Sequence, residues 1–203
     1  YRVVGAESLL QIYVYRAGTL ASAGHNHVLA ARDLTGWVAL AQPRAQSRFA
    51  LEFRPDALTV DEPALRHAAG AEFAGEVPAG ARDATRRNLL SSAVLAAEQF
   101  PVIQLYGRGL RERADGSVEL DVAILLRGAQ WHATVPAQVR TAPQSLVAAG
   151  EFELRQSAIG LEPFSVLLGA LAVRDAMRIK FAIVARRCDA APQPSATGGR
   201  ADC

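Results

Sequence analysis

From Ser47 to Arg54 the chain alternates strictly. Phe49, Leu51 and Phe53 fall on one side, and Arg48, Ala50, Glu52 and Arg54 on the other. Successive side chains of a strand point to opposite faces, so this pattern predicts a strand with one apolar and one wet face. The same period returns from Val118 to Arg127, where Val118, Leu120, Val122, Ile124 and Leu126 oppose Glu119, Asp121, Ala123, Leu125 and Arg127. The Asp115-Gly116 pair just before it is a hairpin signal. A third long strand is predicted from Val173 to Arg186, with Met177, Ile179, Phe181 and Ile183 on the apolar side and Arg174, Arg178 and Lys180 on the other. Weaker alternation marks further strands at Leu9 to Tyr15, Leu34 to Leu40, Val102 to Arg108, Trp131 to Val139 and Leu146 to Ser157. Eight strands, several longer than the usual five or six residues, fit an all-β antiparallel eight-stranded barrel, in which closure removes the exposed edges.

One stretch breaks the period of two. Between Asp83 and Gln99, Leu89, Leu90, Ala93, Val94 and Ala97 recur at spacings of three and four, and Pro101 follows. This predicts one amphipathic helix, covering a mouth or flank of the barrel. A shorter helical turn is expected from Pro63 through Ala69, since proline suits the first helical position. Residues 1–188 are read as one domain. The Ala, Pro, Gln, Ser, Thr and Gly run at 189–203 is read as a disordered tail.

Composition narrows the function. Half of the 203 residues are hydrophobic and 21% charged, the balance of a globular domain. A net charge of +2 is too small for the footprint of a nucleic-acid binder. No apolar run reaches the length of a membrane helix, so a soluble protein without a transmembrane segment is expected. The chain opens on Tyr1 and its single methionine is Met177, from which removal of an N-terminal leader is expected. The two cysteines, Cys188 and Cys203, stand at the C-terminal end, where they could bridge each other or remain free thiols.

The candidate chemistry is sparse. His25 and His27 flank Asn26 and would share a face of an extended backbone, so the pair could ligate one metal ion such as copper, zinc or haem iron. A third ligand would have to come from His67, His132, Asp33 or Asp61. The alternative is that these histidines and Asn26 hydrogen-bond within the barrel or at its rim. No nucleophile elbow, zincin helix, Walker loop or dinucleotide fingerprint occurs, and Glu119 with Asp121 reads as a solvated strand face. The expectation is a binding protein and not an enzyme. Phe49, Leu51, Phe53, Leu120, Val122, Ile124, Ile179, Phe181 and Ile183 should point inward. A barrel of this size either packs such side chains or encloses one small ligand; the first outcome would leave a structural or interaction barrel, and the second an apolar ligand site.

The order of short motifs adds a resemblance. A His-bearing segment precedes Thr35-Gly36, followed by the Phe49/Leu51/Phe53 strand and by Arg82-Asp83, Arg86-Arg87 and Leu89-Leu90. Next come Gln99-Phe100-Pro101-Val102-Ile103, then Leu125-Leu126-Arg127-Gly128, and finally Gly150, Phe152, Leu154, Ser157, Ile159 and Gly160. Across residues 3–187 this resembles the YceI-like family of bacterial proteins. The resemblance implies a lipocalin-like barrel that binds a polyisoprenoid or fatty-acyl lipid, and a periplasmic or secreted location. It implies a lipophilic small molecule as partner; a homodimer is left open by the sequence. His25 and Asn26 would then contact the ligand head and the apolar inner faces its tail. The almost wholly apolar segment from Phe164 to Leu171 departs from the more polar loop expected there.

Overall fold

The computed structural model describes residues 1–188. The tail expected at 189–203, with Cys203, lies outside the described residues. In chain order the first elements are β1 (Arg2–Val3), β2 (Leu9–Val14), β3 (Arg16–Ala17), β4 (His27–Ala31), β5 (Thr35–Ala39), β6 (Arg48–Phe53) and β7 (Thr59–Val60). Two helices follow, α1 (Pro63–Ala68) and α2 (Ala79–Leu90). Next come β8 (Ile103–Glu112), β9 (Val118–Leu126), β10 (Ala129–Ala142) and β11 (Ser145–Arg155), and then β12 (Ser165–Val166), β13 (Leu171–Val173) and β14 (Ala176–Arg186).

Antiparallel pairings carry the sheet from β6 through β8, β9, β10 and β11 to β14, with hairpins joining β8 to β9, β9 to β10 and β10 to β11. Closure is made by the N-terminal segment, which a short helical turn at Gly5–Glu7 splits into β1 and β2. β14 pairs with both halves, Arg178 to Ala182 against β2 and Ala185 and Arg186 against β1. On the other side β2 pairs with β4 and β1 meets β5 at Trp37. Counting each bent pair as one strand gives a closed eight-stranded antiparallel barrel, as the sequence predicts. Tight turns set the register. Asp115 accepts hydrogen bonds from the amide (2.9 Å) and hydroxyl (2.6 Å) of Ser117. Arg127 and Gly128, at φ 52° and 74°, make a two-residue turn of the kind whose twist matches antiparallel strands.

The inner faces form the main apolar cluster, including Phe53, Val122, Ile124, Met177, Ile179 and Ile183. Each such side chain contributes about 1.5–3 kcal/mol on burial. A second cluster lies outside the wall, where Tyr13 and Val28 meet Leu65 of α1 and the fully buried Phe73. Phe73 packs edge-on against both Tyr13 and Tyr15, with ring centroids 5.5 and 5.6 Å apart. The odd-numbered side of β2 therefore faces this outer layer, and the even-numbered side faces the interior.

Two sequence expectations are corrected. The helix expected from Asp83 to Gln99 starts earlier, after Pro78, and ends at Leu90. Beyond Ser91 the chain folds back, with Ala96 at φ 46° and its amide bonded to the Ser91 carbonyl at 2.7 Å. The spacing of Val94 and Ala97 reflects turns that bury Leu95 and Ala96, and not a continuing helix. The long strand expected from Val173 also breaks. Val173 belongs to β13, and the Arg174 amide bonds the Tyr15 carbonyl. Asp175 accepts bonds from the amide and hydroxyl of Ser157 at 2.8 and 2.6 Å, so β14 starts only at Ala176.

The candidate ligand cavity and its polar lip

A cavity of about 400 Å³ runs through the barrel. Its wall is built by the alternation itself. Phe49, Leu51 and Phe53 come from β6, Leu120, Val122 and Ile124 from β9, and Ile179, Phe181 and Ile183 from β14. All nine residues expected to point inward do so. The weaker strands supply more of the wall, including Leu10, Ile12 and Val14 of β2 and Phe152 and Leu154 of β11. Gly107 of β8 sits opposite Phe49 and leaves room for its ring, which lies where a side chain at Gly107 would stand.

Polar groups gather at the end of the barrel where β4 begins. His25, His27, Arg16, Thr85 and Asn88 line the cavity there, the last two from α2. Asn26 does not, contrary to the expectation that it contacts the ligand head. Alternation of the extended backbone turns it away from its neighbours. Its side chain instead accepts from the Arg16 amide at 3.0 Å and donates to the Glu72 carbonyl at 2.9 Å, tying three segments together.

His27 is held from behind. Its Nδ1 lies 2.7 Å from Oδ2 of Asp61, and a carboxylate can only accept, so the proton of that bond sits on Nδ1. The other carboxylate oxygen of Asp61 accepts from the Val28 amide at 2.9 Å and from Arg66 at 2.7 Å. Arg66 also donates to the carbonyls of Asn26 (2.6 Å) and Gly75 (2.8 Å). Burial is the largest influence on Asp61 and pushes its carboxyl up. The bond from His27, the Val28 amide, the nearby His27 charge and the Arg66 bond together outweigh it and hold the carboxyl below its ordinary value. With Nδ1 engaged, Nε2 of His27 faces the lip, 3.3 Å from the Thr85 hydroxyl, whose one proton goes to the Ala81 carbonyl at 2.9 Å. The lip can thus offer a ligand one imidazole edge of fixed orientation.

The His25 and His27 rings stand edge-to-face with centroids 6.2 Å apart. Among the described residues no third His, Cys, Asp or Glu gathers with them into a metal-ligand set. Asp61 is engaged with His27 and Arg66. Asp33 accepts from the Arg54 amide at 3.2 Å. His67 is exposed on α1, and His132 is exposed on β10 beside Gln130. Reading the sequence did not assign Arg66, Thr85 and Asn88 to the site. Nothing in their spacing relates them to His27; only the packing of α1 and α2 against β4 and the barrel mouth does.

No family model matches the chain, and no curated protein matches it. Solved structures do. The chain is similar to BcnA of Burkholderia cenocepacia at TM-score 0.63 and 12% identity, over 90% of this chain and 99% of that one. It is similar to a polyisoprenoid binding domain from Saccharophagus degradans implicated in plant cell wall breakdown, at TM-score 0.59 and 10% identity, over 90% and 95% of the two chains. A Campylobacter jejuni YceI protein is similar at TM-score 0.54 and 7% identity, over 77% of this chain and 82% of that one. At such identities the likeness concerns the fold, and the fold is YceI-like.

Proposed function

We propose that this YceI-like barrel binds, carries or stores a chain-like amphiphile, an isoprenoid or fatty-acyl lipid, with the chain inside the barrel and the head at the His25/His27 lip. The observation that carries the reading is the apolar cavity of about 400 Å³, walled by alternate residues of successive strands. Its volume falls in the range of small-molecule sites, about 300–1,000 Å³. A barrel serving only as structure would fill that space with side chains. The likeness to the polyisoprenoid binding domain from Saccharophagus degradans supports the same ligand class. The reading is one of binding and not catalysis, because the wall that the barrel encloses is almost wholly apolar. The resemblance to YceI-like proteins extends the proposal to an exported protein of the periplasm or medium, which cell fractionation of the host would check.

The test is native mass spectrometry of protein purified from its host, followed by organic extraction and elemental analysis. A near-stoichiometric chain-like molecule is expected. Val122, buried at the middle of β9, provides the control. Val122→Arg places a charge in the cavity and should abolish uptake, while the bulkier Val122→Phe should reduce it in a folded barrel. Stoichiometric metal without lipid, or undiminished uptake by both folded variants, would refute the proposal.

A further inference from the structure

The lip continues outward into a small second sheet. β12 pairs with β13, and β13 pairs with β3 through Ala172 against Ala17 and Val173 against Arg16. The turn between β12 and β13 runs through Leu167 and Leu168, both at positive φ, 52° and 55°. That backbone region disfavours leucine, and turns normally place Gly or Asn there. Both side chains nevertheless stand out in solvent, Leu167 at 68% and Leu168 at 109% relative exposure. Leu20 stands beside them, its amide bonded to the Ala170 carbonyl at 2.7 Å. Among the described residues seven large apolar side chains are exposed, and five of them, Leu20, Phe164, Val166, Leu167 and Leu168, belong to this lip. Scattered exposed leucines are ordinary; this concentration on one projecting turn is not.

Two observations say what covers it. The first is continuity with the cavity, since Phe164 and Leu171, on either side of the turn, also line the interior. The second is charge. Residues 15–25 and 163–174 carry Arg16, Arg174 and His25 and no carboxylate. Of the acids outside them Glu162 flanks the turn segment, Asp175 is engaged by Ser157, and Glu72, Glu151 and Glu153 share a separate cleft with Arg174, which leaves Arg16 as the arginine at the cavity mouth. A stable protein partner generally needs about 800 Å² of surface on each side, more than one narrow turn presents. Shallow insertion into a bilayer needs only a few apolar side chains beside cationic ones.

We infer that this lip is a membrane-docking surface: the Leu167–Leu168 turn inserts among the headgroups of an anionic lipid bilayer, with Arg16 against the lipid charges. Docked in this way, the barrel presents its mouth to the membrane, and a chain passes along Phe164 and Leu171 without crossing water. That last step rests on the proposed lipid-binding function; the docking itself does not.

Flotation with phosphatidylcholine vesicles, with and without phosphatidylglycerol, tests it. The full chain should float with the phosphatidylglycerol vesicles and less with phosphatidylcholine alone. Leu167→Ser with Leu168→Ser should weaken partition by ~10-fold or more, and Leu20→Ser by less. These positions are exposed, so the melting temperature should not change. Uptake of a fluorescent fatty acid from solution should match the parent chain, whereas uptake from vesicles should be slower. Equal flotation of parent and variant overturns the inference, as does a parent that never floats or that uses the turn to dimerise. A parent that floats but takes up no chain from solution upholds docking and removes the carrier reading. Uptake from solution without flotation does the reverse.

Discussion

Replacing Asp61 by alanine tests whether the group behind His27 is what shapes the lip. The residue is 1% exposed and its carboxylate accepts from three partners, the His27 ring, the Val28 amide and the Arg66 guanidinium. Alanine leaves the Val28 amide without its acceptor and Arg66 buried with only two carbonyls. Removing one member of a buried ion pair costs about 3–5 kcal/mol. For a chain of this size each kcal/mol lowers the melting temperature by about 2–4 °C, so a fall of about 6–20 °C is expected. Denaturant and thermal unfolding at neutral pH measure it. Arg66→Met added to Asp61→Ala should recover part of the loss, because the stranded charge is then gone. The pH dependence carries a sign. The folded carboxyl lies below its ordinary value, so its stabilisation is fully present above the unfolded pKa and is lost as pH falls through the folded one. Parent and variant should therefore differ at neutral pH and converge below about pH 4. A loss under about 1 kcal/mol, the size of an exposed pair, would refute the reasoning.

Gly107→Ala puts a methyl group where the Phe49 ring lies; displacing the ring should cost about 1–3 kcal/mol and reduce uptake of a fluorescent fatty acid. Phe73→Ala removes the buried ring of the outer cluster and should cost about 3–5 kcal/mol by chemical denaturation, while the variant, once folded, takes up ligand normally. The two histidines should separate in paired stability and binding titrations. His27→Ala leaves Oδ2 of Asp61 without its partner and should lose about 1–3 kcal/mol of stability, whereas His25→Ala should stay within about 0.5 kcal/mol, so that any loss of affinity reports the ligand head.

The alternation at Phe49, Leu51 and Phe53, and again from Leu120 to Ile124, determined which side chains face inward, because a strand has only two faces and a period of two assigns each residue to one of them. It determined the barrel as well, since the predicted strands are numerous, long and wet on one side. The same parity showed His25 and His27 sharing a face and, carried one residue further, turned Asn26 away from it. Where regular repeats end, local sequence lost its hold. Val94 and Ala97 keep helical spacing, yet the chain folds back at Ala96; Asp175 keeps strand parity, yet Ser157 claims its carboxylate. His27 acquired its partners only in the folded chain, because Asp61, Arg66 and Thr85 lie 34, 39 and 58 positions away and nothing local relates them. Whether the inward residues would fill the barrel or leave a cavity was likewise decided by tertiary structure: strand parity fixes direction, while the space left between opposite walls depends on how eight strands close around it.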